Sequence, residues 1–252
     1  MNIPRRKFFI LCQYRTGSTL LASLLNSHPE LYCDEEIFNE KVIKNNLVIF
    51  PRLYMHRRSK RIIQANQPQC YGFDLKMHQI MALYKRHNPI RKHHNSTKNS
   101  INFVRELYRN DWKIIYLRRE NLVKQAISNL VAQKKQRWHY SNEQDKQLNP
   151  GAVVLEPDHC LRTLRTIRWM AKLENNALAD LSYQEVIYEQ DLIDASMHQK
   201  TADQVFAYLG LSSAAVRTSL IRTSSAQLSD SVKNFDEIQN TLQGTEYEKY
   251  LA

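Results

Sequence analysis

Arg15, Thr16, Gly17, Ser18 and Thr19 bring a guanidinium, three hydroxyls and a glycine into five consecutive residues. The apolar run Phe8–Cys12 before them has the length of a buried strand. After them, Leu20, Leu21, Leu24 and Leu25 fall on one face of a helix that starts at Ser18. A strand, a polar turn and a helix N-terminus together make an anion site. The first-turn N–H groups lack intrahelical partners, and the helix dipole adds partial positive charge. Arg15 adds a full charge there, and Ser18 and Thr19 add hydroxyl donors. The chemistry this suits is the cradling of a phosphate-like group. The plainer alternative is a strand–turn–helix whose Ser18 and Thr19 only cap the helix.

The turn is not a Walker A loop, which needs a second glycine and a lysine followed by Ser or Thr. It holds one glycine and no lysine. Instead, Arg15-Thr16-Gly17-Ser18-Thr19-Leu20-Leu21 resembles the 5′-phosphosulfate loop of the sulfotransferases. These use 3′-phosphoadenosine 5′-phosphosulfate (PAPS), and the version seen here is similar to that of bacterial carbohydrate sulfotransferases. A second segment, Tyr116 to Ser128, resembles the family's 3′-phosphate motif, in which an Arg at a strand end and a Ser on the next helix hold that phosphate. An Arg fork with a hydroxyl reads the group by geometry as well as charge. Aligning Tyr-x-x-Arg puts Arg119 and Ser128 in these roles. The best-known cytosolic members space the pair by eight residues and this chain by nine, which leaves Arg118 open. Val186 to Leu192 resembles the family's Tyr-Glu-Asp-Leu strand end, which implies Tyr188 near the adenine end. Leu228-Ser229-Asp230 and Asn234-Phe235 resemble the C-terminal segment of bacterial members. The Arg-Lys-Gly motif of cytosolic members is absent, with Arg217 and Arg222 as candidate substitutes.

Sulfuryl transfer needs a base for the acceptor hydroxyl, and two residues compete. Glu36 precedes Ile37-Phe38, where bacterial members carry a proposed Glu base. Glu35 sets a like charge beside it, and like charges favour proton uptake. His78 is the rival: Leu75-Lys76-Met77-His78 resembles the Ile-Lys-Thr-His strand end of cytosolic members, where His is the base and Lys assists the leaving group. Imidazole needs little tuning near neutral pH. Glu36 is preferred because the cradle is of the bacterial type. Arg15 and the Gly17–Thr19 amides suit the leaving-group side, by analogy with phosphoryl transfer. The resemblance requires no metal, and no Cys or His spacing suggests one.

The elements that must position these residues read as alternating strands and helices. Strands are expected at Phe8–Cys12, Leu31–Cys33, Tyr71–His78, Asp111–Leu117 and Tyr183–Tyr188. Helices are expected from Ser18, from a cap at Asn99 or Ser100, from about Leu122, from Asp158 to about Leu181, and over about 198–209 with Gly210 as stop. Residues 39–69 are irregular and basic, most simply a solvated helix face. Residues 85–98 read as a basic loop. Residues 134–157 form a long loop in which Trp138, His139 and Tyr140 are lid candidates. Variable stretches 39–69 and 134–157 are the expected acceptor side.

The pattern predicts one α/β domain over 1–252, with a mainly parallel central sheet flanked by helices and a P-loop-like cradle. The 252 residues suffice for one well-buried domain, and 42% apolar content is ordinary. No apolar run is long enough to span a bilayer, and Phe8–Cys12 is too short for a signal core. A cytoplasmic protein with four reduced cysteines is expected. The net charge of +11 favours an anionic partner. The resemblance then implies a sulfotransferase with PAPS as cosubstrate and a hydroxyl-bearing acceptor, such as a glycan, glycolipid or other small molecule. Alternatives are a P-loop-type kinase using ATP and a basic nucleic-acid-binding protein. The first lacks the Walker lysine. The second lacks regular aromatic interleaving in its basic loops, so no nucleic-acid partner is expected.

Overall fold

The structure is a computed structural model, and it describes residues 6–39, 42, 51–87, 94–136, 151–220 and 228–251. At its centre runs β1 (Arg6–Cys12), whose residues Phe8 to Cys12 are fully buried. The sheet has five strands in the order β2-β3-β1-β4-β5, with β2 (Leu31–Glu36), β3 (Cys70–Leu75), β4 (Trp112–Arg118) and β5 (Tyr183–Ile187). Every pairing is parallel. β1 and β3 are covered on both sides, which explains the apolar run Phe8–Cys12 and the full burial of β3. Gly72 pairs with Phe8, and a Cβ on it would lie 2.2 Å from the Phe8 ring. The missing side chain therefore lets the ring lie flat over the neighbouring strand.

Helices cover both faces. On one, Leu21, Leu24 and Leu25 of α1 (Ser18–Leu25) meet Val205, Phe206 and Leu209 from a later helix, His198–Leu209. On the other, Met55 of α2 (Pro51–Asn66) and Ile80 and Leu83 of α3 (Met77–His87) pack with Phe103, Val104 and Leu107 of α4 (His94–Arg109). α5 (Leu122–Lys135) and α6 (Pro157–Leu178) build a third cluster with the later α8 (Phe235–Leu242). The helix His198–Leu209 is α7, and it stops at Gly210 with φ 76°. The expected α/β plan, a mainly parallel sheet flanked by helices, is what forms.

Three expectations change in detail. The third strand ends at Leu75, and α3 begins at Met77, so His78 lies in a first helical turn rather than on a strand end. The basic stretch 85–98 is not all loop: α3 reaches His87 and α4 starts at His94, ahead of the expected cap. α6 begins with Pro157 behind Glu156, a favoured first-turn position for proline. The basic run after residue 51 is the expected helix, with Met55 as its buried residue. Trp138, His139, Tyr140 and Arg222 lie outside the described residues.

Candidate active site

All five strands point the same way, so their C-terminal ends share one edge. Ligands in such sheets bind beyond that edge, where neighbouring strands connect in opposite directions. β1 is such a strand, since β3 and β4 flank it. Cys12, Glu36, Lys76, Arg119 and Tyr188 all end or follow strands there.

The cradle is set by backbone geometry. Gly17 caps α1 in the left-handed region (φ 92°, ψ 17°), without a side-chain cap bond. Ser18 and Thr19 are therefore the first two residues of α1 and not its N-cap. Arg15 also holds positive φ, 60°, uncommon for a residue with a Cβ. The strained turn is pinned from outside. Thr16 Oγ1 donates to Gln13 O (2.9 Å), Gln125 Nε2 to Tyr14 O (2.9 Å) and Arg119 Nη1 to Arg15 O (3.3 Å). Two of these donors come from the second motif.

That motif also meets the cradle through side chains. Arg15 Nε donates to Ser128 Oγ at 3.0 Å, so residues 113 apart in sequence touch. Arg119 is buried, donates from Nε to Glu189 Oε1 (3.1 Å), and lies 4.7 Å over the Tyr188 ring. Tyr188 opens a π-helical turn, Tyr188–Leu192, and its ring packs where a Gly17 Cβ would stand, 2.7 Å from Cδ2. The structure thus brings Arg15, Gly17, Ser128, Arg119 and Tyr188 together. Arg118 instead turns to Glu185 (2.8 Å) and Glu120 (3.7 Å) along the sheet surface.

Glu36 stands beside the cradle on the other flank. A β-bulge at Glu35 lets Asp34 pair with Phe73 and Glu36 with Asp74. Such bulges re-aim side chains. Glu36 accepts from Lys76 Nζ (2.6 Å) and Gln79 Nε2 (2.7 Å). Lys76 is 1% exposed and also 3.9 Å from Asp74. Burial opposes its charge, but the acidic groups around it outweigh burial and hold the ammonium above the usual lysine range. Burial pushes the Asp74 carboxyl up to about 6, against the pull of Lys76 and a Ser18 hydrogen bond. Burial likewise pushes the Cys12 thiol up to about 12, so it stays neutral. The His78 ring lies tilted against Tyr14 with centroids 4.3 Å apart, and its Nε2 is shielded from solvent.

Sequence reasoning missed Gln79, Asp74, Gln13 and Glu174. Gln13 opens the turn, and its Nε2 donates to Glu174 Oε2 (2.9 Å) on α6, which also accepts from Tyr116 Oη (3.3 Å). A polar Gln79 and Asp74 inside otherwise apolar stretches was the available signal. Among the described residues, no group of three or more His, Cys, Asp or Glu is placed to hold a metal ion, and no helix is long and apolar enough to cross a membrane.

With this geometry in place, comparison with known proteins is informative. The model of the sulfotransferase family matches residues 7–214, and the chain belongs to that family. The match does not favour the kinase or nucleic-acid alternatives. Among solved structures, the chain is similar to a sulfotransferase from Alicyclobacillus acidocaldarius, at 15% identity and TM-score 0.52, over 99% of this chain and 96% of that one. It also matches the sulfotransferase domain of the Synechococcus PCC 7002 olefin synthase, at 16% identity and TM-score 0.39, over 94% and 84%. The first of these supports the fold. No curated protein matches the chain.

Proposed function

We propose that the protein transfers a sulfuryl group from PAPS to a hydroxyl of a carbohydrate-containing or lipid-like acceptor, with adenosine 3′,5′-bisphosphate as the other product. The observation that carries this reading is the Arg15–Ser128 hydrogen bond, which joins the two motifs. The residues fit the nucleotide. The α1 N-terminus at Gly17 carries no side-chain cap bond, which suits the 5′ group. Arg119 and Ser128 suit the 3′-phosphate, and Arg119 is favoured over Arg118 because it faces the cradle. Tyr188 suits the adenine end.

PAPS would supply an activated sulfuryl group, so the protein's part is positioning and charge. Arg15 and the amides of Gly17 to Thr19 would stabilise charge on the departing phosphate. Glu36 would take the acceptor's proton. Its side chain is about one-third exposed at the sheet edge, whereas His78 lies against Tyr14 with Nε2 shielded from solvent. Lys76 and Gln79 orient its carboxylate.

Thermal-shift binding tests the cosubstrate. Adenosine 3′,5′-bisphosphate should raise the melting temperature well above the effect of adenosine 5′-phosphate at equal concentration. Equal shifts would overturn the 3′-phosphate assignment.

A further inference from the structure

Lys76 lies between two carboxylates, and only one of them faces solvent. Its ammonium is 2.6 Å from Glu36 Oε1 and 3.9 Å from Asp74 Oδ2. The Glu36 side chain is 32% exposed and that of Asp74 is 4%. Asp74 is faced by Lys76, by Ser18 of α1, and by Glu36 and Glu35 of β2. Cys12 of β1 and Cys33 of β2 complete its surroundings, and burial keeps both thiols neutral. Asp74 Oδ1 has no hydrogen-bond partner among the described residues. A buried carboxylate with an oxygen left bare costs stability, so packing alone gives it no reason to be there.

We propose that Asp74 is a positioning residue for the transfer step: it keeps Lys76 charged once Glu36 has taken the acceptor's proton. This rests on the reading of Glu36 as the base. In that step the acceptor O–H proton goes to the Glu36 carboxylate, and the freed oxygen pair forms the bond to sulfur. The bond from sulfur to the nucleotide phosphate breaks, and its electron pair stays on the phosphate. Glu36 is then neutral. A lysine that is 1% exposed would then have lost its nearer counter-ion, 2.6 Å away. Desolvation would strip its proton. Asp74 is the remaining carboxylate within reach of the ammonium, so Lys76 stays a cation and a donor to the Glu36 side chain.

The test reads Lys76 directly. Glu36→Gln stands in for the proton-loaded base. The ζ-nitrogen of 15N-lysine-labelled protein, without nucleotide, is followed by NMR from pH 6 to 11. In Glu36→Gln, Lys76 should remain charged through neutral pH. In Glu36→Gln/Asp74→Asn its proton affinity should fall about a hundredfold or more. Equal titration in the two variants overturns the proposal. Asp74→Asn alone gives a second measurement. With water as the acceptor, single-turnover cleavage of PAPS should slow at least about tenfold, while adenosine 3′,5′-bisphosphate affinity stays unchanged. A normal rate overturns the role whether or not the double variant folds. Near-full turnover in Glu36→Gln would end the base assignment and the role with it. A slow Glu36→Gln together with equal Lys76 titration in the single and double variants ends the role alone.

Discussion

Arg119 is held in place before any nucleotide binds. Glu189 takes its Nε, the Arg15 carbonyl takes Nη1, and Tyr188 lies under its plane. A guanidinium fixed this way loses little further freedom on gripping a phosphate. Arg119→Ala should therefore weaken adenosine 3′,5′-bisphosphate by about 1.5–3 kcal/mol and adenosine 5′-phosphate by much less. Calorimetric titration of both ligands checks this, and equal losses would return Arg118 to consideration. Gly17 is the other residue whose type is dictated. Its φ of 92° strains any L side chain, and a Cβ would run into Tyr188. Gly17→Val should abolish bisphosphate binding in a protein that keeps its far-ultraviolet circular dichroism but melts lower. Retained affinity would place the phosphate elsewhere.

At the scale of elements, the position of Glu36 depends on how β2 ends. Asp34, 5% exposed, is gripped by Arg58 of α2 through Nε (2.6 Å) and Nη2 (2.9 Å), and it also accepts from Tyr71 Oη (3.3 Å). The pair ties the basic helix to the strand just before the bulge. Arg58→Ala leaves a buried carboxylate short of its cation. Because Arg58 itself is half-exposed, the expected cost is reduced to roughly 1–3 kcal/mol, read as a lower urea midpoint at unchanged slope. A variant as stable as wild type would mean that α2 is held by Met55, Tyr54 and Ile62 alone.

The same elements explain what the sequence could and could not tell. β1, β4 and α7 were legible because apolar runs and stops mark them locally, Gly210 among them. The end of β3 was not. Met77-His78 continues the alternation of Tyr71 to Leu75, and no Gly, Pro or cap separates strand from helix. α4 was read short because His94 to Ser100 contains no apolar residue to show the period. The cradle and its partner motif were visible since each is a contiguous pattern of residue types. The Glu36–Lys76–Asp74 group was visible only in pieces, because strand register, which no local spacing encodes, brings it together.

For the molecule as a whole, one buried carboxyl should leave a mark on stability against pH. Glu174 is 1% exposed, and its only described hydrogen-bond donors are Gln13 and Tyr116. Its Oε1 has no hydrogen-bond partner among the described residues. Burial pushes its carboxyl from 4.5 up to about 7, although both donors pull the other way. Between these two values the folded protein holds a proton that the unfolded chain releases. Stability from this group is thus fully present below about 4.5 and is lost as pH rises through about 7. Asp74, pushed up to about 6, adds a slope of the same sign, so comparing variants is needed to isolate Glu174. Glu174→Gln cannot ionise and keeps the shape of the neutral acid. It should flatten the fall in stability across that window and exceed wild type at pH 8 by on the order of 1–3 kcal/mol. Urea unfolding at several pH values from 5 to 8 measures both curves. If the two stay parallel, Glu174 is ionised at no cost in the fold, and an unseen donor must reach Oε1. Since Gln13 begins the cradle turn, the same variant reports whether the neutral or the charged partner suits nucleotide binding. Bisphosphate affinity that falls from pH 6 to 8 in wild type but not in Glu174→Gln would tie the stability window to the cradle.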